Sequence, residues 1–291
     1  MKTNWIISAA VTAGTALALA CASAGNSASA LGTDNGGRFT TQVTINGQGP
    51  FAFIVDTGAE RTVISQRLAA RLQLWSVGGA RVVGASGTEP AKLYMLRSFH
   101  GAVFSRNFEP VVAIPNAVSE ADGILGMNVF ASNRIEMDFA DSVLAVRSSE
   151  PAPKDFLAVP VVVTHSNLVI ADVTVNGIPA KALIDTGARR TVANTVLQRA
   201  LGFAPGDPRL SAAEPIGGAT DYQTPAVKAQ IDRIVIGGAQ FSQPILTFAD
   251  LPMFASQGIG QVPALHLGLD LLMKLRAIAI DYPQSELQIK L

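Results

Sequence analysis

VTINGQGPFAFIVDTGAERTV, residues 43–63, returns as VTVNGIPAKALIDTGARRTV at residues 173–192. In both copies an Asn-Gly turn leads into an apolar strand that stops at Asp-Thr-Gly-Ala. Self-similarity of this kind decides an architecture before any single element does. The two aspartates, Asp56 and Asp185, lie 185 − 56 = 129 residues apart. The chain therefore reads as two similar halves, each supplying one carboxylate. Residues 51–55, Phe-Ala-Phe-Ile-Val, are apolar throughout, the pattern of a strand covered on both faces. Asp56 is thus expected at the end of a rigid, buried element.

The repeat continues outward from the two motifs. Ser65 reads as a helix N-cap with Leu68 and Leu72 on one face, and Asn194, Leu197 and Leu201 repeat that arrangement, with Gly202 closing the helix. RVVGASGTEPAK (81–92) and PIGGATDYQTP (215–225) read as glycine-bearing, polar-tipped hairpins suited to mobile loops. Each half then closes on a Leu-Gly step and a strand containing an aspartate. The first half has Asp122-Gly123-Ile124-Leu125-Gly126 before Met137-Asp138-Phe139. The second has Leu265-His266-Leu267-Gly268 before Ile280-Asp281-Tyr282. Asp138 and Asp281 are expected to be structural.

SSEPAP, beginning at Ser148, is the one linker-like stretch. The expected division is a signal segment 1–30, a flexible leader 31–37, a first lobe 38–149, a linker 150–155 and a second lobe 156–291. Lys2 followed by an almost uncharged run at 5–20 reads as an export signal, with Ala18-Leu19-Ala20 and Ala28-Ser29-Ala30 as A-x-A cleavage sites. Cys21, the only cysteine, follows Leu19-Ala20 much as an acceptor cysteine follows a lipobox, although Ala18 stands where a leucine is usual. The expectation is an exported protein, soluble in the periplasm or held to a membrane by lipid on Cys21.

Composition removes several classes of function. Lys+Arg (22) and Asp+Glu (22) cancel, so no basic field attracts nucleic acid, and aromatic residues at 6% are too few for base-stacking platforms. His100, His165 and His266 are scattered, with no H-E-x-x-H and no cysteine pair to build a zinc site, and each is expected to be structural or on the surface. Gly84-Ala85-Ser86-Gly87 misses the spacing of a serine nucleophile elbow, and no phosphate-binding glycine loop occurs. No metal and no cofactor is expected.

A strand-borne D-T-G-A in each half, followed by a Leu-Gly strand, resembles the aspartic peptidases. The D-T-G-A form is similar to the retropepsin branch, and two motifs in one chain resemble the bilobal pepsin arrangement. The resemblance spans roughly residues 38–291 and implies an all-β, bilobal acid-protease fold with short helices. Two carboxylates about 3 Å apart share one proton. The charged member then acts as general base on a water, and the protonated member polarises the scissile carbonyl. On this resemblance Asp56 and Asp185 are the catalytic pair, and Thr57 and Thr186 form a reciprocal lock between lobes. Gly58 and Gly187 let the backbone turn and leave their N–H groups free to approach the carboxylates. Ser86 and Tyr222 are candidates for flap tips over the cleft. Glu60 and Arg189 replace the aspartate that often follows D-T-G-A; Arg189 and Arg190 are expected to pair with Glu60 or other acids of the first lobe, or to lie in solvent.

The implied activity is endopeptidase cleavage of an extended polypeptide by a monomer with pseudo-twofold symmetry. The alternatives are a non-catalytic peptide-binding module on the same fold, and a homodimer using one lobe of each chain.

Overall fold

The computed structural model describes residues 27–114 and 120–291. Cys21 and most of the expected signal segment lie outside them. Short helices decorate a molecule whose regular structure is mainly strand, as an all-β, bilobal fold requires.

Each half starts from the repeated hairpin. Phe39–Ile45 pairs antiparallel with Gln48–Val55, and Val169–Val175 with Ile178–Ile184. Both turns carry left-handed residues, Asn46 and Gly47 at φ 51° and 78°, Asn176 and Gly177 at 49° and 82°. That is the type I′ turn whose twist matches the strands it joins. The first copy has one residue more than the second between turn and aspartate. A register shift between Val43 and Ile45 absorbs it, so both hairpins deliver Asp-Thr-Gly from the same end.

The motif strands are then buried between neighbours. Gln48–Val55 pairs in parallel with Gly123–Leu125, and Ile184 and its strand pair in parallel with Ala264–Leu267. Val63–Ser65 and Val192–Ala193 close the other side of these short strands. Phe53 is fully buried, and the rings of Phe53, Phe99, Phe104 and Phe130 pack in series with centroids 4.9 to 5.9 Å apart. The scarce aromatic residues are thus concentrated where they fix the floor of the first lobe.

Beneath both lobes runs a six-stranded base. Its order is Ser27–Ala30, Val143–Arg147, Arg134–Asp138, Ala277–Asp281, Glu286–Lys290, Leu157–Val163. The halves meet at its centre, where Arg134 faces Asp281 and Asp138 faces Ala277 in an antiparallel, self-complementary register. Buried Arg134 reaches across this seam to Gln288 Oε1 at 2.9 Å and also holds Glu136 at 2.6 Å. Asp281 is fully buried and accepts from Ser149 Oγ at 2.8 Å and from the Glu150 N–H at 3.1 Å, so it anchors the linker. Asp138 accepts from the Asp141 N–H. Both aspartates are therefore structural, as expected.

The leader departs from expectation. Gly32–Thr33, inside the leader expected to be flexible, pairs with Phe39–Ile45, and Ser27–Ala30, inside the expected signal segment, pairs along Val143–Arg147. Ser/Ala/Gly composition suggested a solvated coil. The backbone N–H and C=O groups of these residues instead satisfy a sheet edge.

Candidate active site

The two motif strands end facing each other, and their loops are interlocked. The Thr57 N–H donates to Thr186 Oγ1 at 3.1 Å, and the Thr186 N–H donates to Thr57 Oγ1 at 3.0 Å. Each hydroxyl in turn donates across the junction, Thr57 to the Ile184 carbonyl and Thr186 to the Val55 carbonyl, both at 2.7 Å. All four bonds are buried, where an unmade partner costs far more than a made bond contributes. The expected reciprocal lock is present.

Above that lock Asp56 and Asp185 come together: each carboxyl group packs against the glycine of the other motif, and the charge of Asp185 acts on Asp56. Gly58 and Gly187 explain how they fit. A Cβ on Gly58 would fall 2.5 Å from Asp185 Cγ, and one on Gly187 would collide with the Asp56 carboxyl group in the same way. No side chain can occupy either position without forcing the carboxylates apart. A second close crossing shapes the Leu-Gly steps. A Cβ on Gly126 or Gly268 would strike the backbone of Arg61 or Arg190, and the N–H of each glycine donates to Thr62 Oγ1 or Thr191 Oγ1.

The surroundings of the two carboxylates differ. Asp56 Oδ1 accepts the Gly58 N–H at 2.8 Å. Asp185 Oδ1 accepts the N–H groups of Gly187 and Ala188 at 3.0 and 2.9 Å, and Asp185 Oδ2 lies 2.7 Å from His266 Nδ1. Burial, and secondarily the negative charge of Asp185, push the Asp56 carboxyl up to about 8; the Gly58 N–H and the positive charge of Arg38 oppose this.

His266 was expected to be structural or exposed. It is 1% exposed, and its Nε2 meets Gln257 Oε1 at 2.7 Å while its ring stands edge-on to Phe254. Its signal in the sequence was the mismatch of the repeat: His266 pairs with Leu183 as Ile124 pairs with Ile54. Arg38 was also missed. It lines the cleft and is held by Asp34 through Nε at 2.9 Å and Nη2 at 2.7 Å.

The carboxylates open into a cleft of about 720 Å³ between the lobes. Ile54, Val63, Val82 and Ile124 line it on one side, and Leu168, Val192, Ile216 and Leu251 on the other. Its roof is made by both hairpins. The tip after Ser76–Val83 touches the tip after Ser211–Ile216: Ser86 Oγ donates to the Ile216 carbonyl at 2.6 Å, and the Asp221 N–H donates to Glu89 Oε1 at 2.9 Å. Tyr222, half exposed, lays its ring against Gly87. Ser86 and Tyr222 thus sit where the two tips meet. Of the arginine pair, Arg190 binds Glu214 at 3.2 Å, not Glu60, and Arg189 projects to the surface beside Gly36. Among the described residues no group of His, Cys, Asp and Glu side chains is arranged to hold a metal ion.

Comparison with known proteins agrees with this geometry. A family model described as aspartyl protease matches the chain twice, at residues 41–129 and 171–271. No curated protein matches.

Proposed function

Because the chain belongs to the aspartyl protease family, we propose that it is an endopeptidase that hydrolyses an extended polypeptide with a water held between Asp56 and Asp185. The observation that carries this reading is the meeting of the two carboxyl groups over a buried threonine lock, at the floor of a cleft between two lobes. One carboxylate takes a proton from the water as it attacks the scissile carbonyl. The protonated partner donates to the carbonyl oxygen, and the pair then returns a proton to the leaving nitrogen. No covalent intermediate forms. Thr57 and Thr186 keep the carboxylates in place, and Gly58 and Gly187 admit the water and substrate backbone.

An extended substrate suits the roof. The hairpin tips offer backbone groups to a strand passing beneath them, and the apolar walls offer alternating side-chain pockets. Ser86 and Tyr222 would close over it. One chain supplies both carboxylates, which supports a monomeric enzyme with pseudo-twofold symmetry. The basic start and apolar run of the first residues support export to the periplasm, with Cys21 as the lipid attachment point if the protein is tethered.

The test is cleavage of a diverse peptide pool by the purified protein, beside Asp56→Asn and Asp185→Asn, across acidic to neutral pH. Loss of general acid–base catalysis predicts that each variant falls by about 10²–10⁴-fold in kcat/KM. Wild-type protein that binds the peptides as its variants do, with no cleavage, would leave a binding module in place of the enzyme.

A further inference from the structure

One lobe departs from the repeat at the atom nearest the chemistry. Where the first half places Ile124 beside its motif strand, the second places His266, buried, with Nδ1 2.7 Å from Asp185 Oδ2. Gln257 Oε1 accepts from Nε2–H at 2.7 Å. With Nε2 protonated, a neutral ring would present a bare Nδ1 to Asp185, and an imidazolium would present a second N–H. A 2.7 Å contact needs one proton between Nδ1 and Oδ2, carried either by an imidazolium or by a protonated Asp185. Two further donors, the N–H groups of Gly187 and Ala188, point at Asp185, whereas Asp56 has the Gly58 N–H. Donors favour the charged form of a carboxyl group.

We propose that His266 is a positioning residue that makes Asp185 the standing anion of the pair and leaves the proton of the dyad on Asp56. This rests on the peptidase reading above. In the resting site His266 is an imidazolium paired with the Asp185 carboxylate, and Asp56 is the neutral acid. Asp185 then takes the proton of the attacking water, and Asp56–OH donates to the carbonyl oxygen. The charged groups facing His266 are Asp185 and, across the dyad, Asp56, on which the charge of Arg38 also acts. Its other neighbours, Phe254, Leu183 and Val192, are apolar, and Gln257 is neutral.

A symmetric dyad loses its base when the second carboxyl group is protonated in acid. An imidazolium in contact with Asp185 opposes that protonation, so the acid limb of activity lies lower than it would without the ring. The experiment compares kcat/KM against pH for wild type, His266→Ile, which restores the residue of the first lobe, and His266→Asn. The expected result is an acid limb displaced upward by about one pH unit in both variants, a tenfold loss at the acid end. Variants that lose activity evenly at all pH values, with unmoved limbs, would make His266 a packing residue and overturn the proposal.

A second readout needs neither turnover nor a stable variant. The chain has three histidines, so ¹⁵N spectra of the intact wild-type protein resolve each ring. Both nitrogens of His266 are expected to carry a proton in the resting protein, and Asp185→Asn is expected to release the Nδ1 proton. A neutral His266 in the resting wild-type protein would overturn the assignment whether or not peptides are cut. Failure of cleavage with a protonated ring would instead count against the peptidase reading alone.

Discussion

At the scale of single residues, Asp56 sets a conflict between folding and chemistry. Its carboxyl group stands at about 8 in the folded protein, against an unfolded value near 3.8, chiefly because it is buried. Between those values the folded chain holds a proton that the unfolded chain has released. Stability therefore falls as pH rises from about 4 to about 8, the reverse of a salt-bridged aspartate. Asp56→Asn removes the group that titrates. The variant is expected to be more stable than wild type at neutral pH, by an amount on the order of a kcal/mol or more, with the advantage vanishing near pH 4. Denaturant midpoints at several pH values check this; a wild-type profile already flat across that window would contradict it. The two aspartates, threonines and glycines were legible in the sequence because the motif is local and written twice. His266 was not, since its meaning depends on a parallel pairing 83 positions away with Leu183, and only its mismatch with Ile124 marked it.

At the scale of elements, caps and turns were read correctly for the same reason of locality. Ser65 Oγ accepts the Leu68 N–H at 3.0 Å, and Asn194 Oδ1 accepts the Leu197 N–H at 2.9 Å, each three residues on. The strands at Ser27–Ala30 and Gly32–Thr33 could not be read so. Their sequences are small and polar, and the first finds its partner at Val143–Arg147, more than a hundred residues later. Composition describes a segment by itself; an edge strand is defined by what it lies against. A chain beginning at Arg38 is therefore expected to melt several degrees lower than one beginning at Ser27, because it leaves the edge of Val143–Arg147 unpaired and frees the start of Phe39–Ile45. Thermal denaturation of the two chains decides this, and equal midpoints would mean that these strands add nothing. On the same ground, signal cleavage after Ala20 keeps the edge strand, and cleavage after Ala30 removes it.

At the scale of the whole molecule, the halves join in three places: the threonine lock, the touching hairpin tips, and the centre of the base sheet, where Arg134–Asp138 lies against Ala277–Asp281. The seam passes between strands of the two halves, and the chain crosses it once, through the segment after Ser149 and Glu150. Beyond the Ser149 and Glu150 contacts to Asp281, the linker acts as a tether. It raises the effective concentration of one half around the other, to the millimolar range expected of a short tether. A chain interrupted between Ala152 and Lys154 should therefore behave as two complementary fragments. Co-expressed, they should assemble and recover peptide cleavage; on dilution, activity should fall with the square of fragment concentration once dissociation sets in. The duplication then leaves the joined protein with what a pair of separate subunits lacks: a site whose occupancy by both carboxylates is independent of how much protein is present.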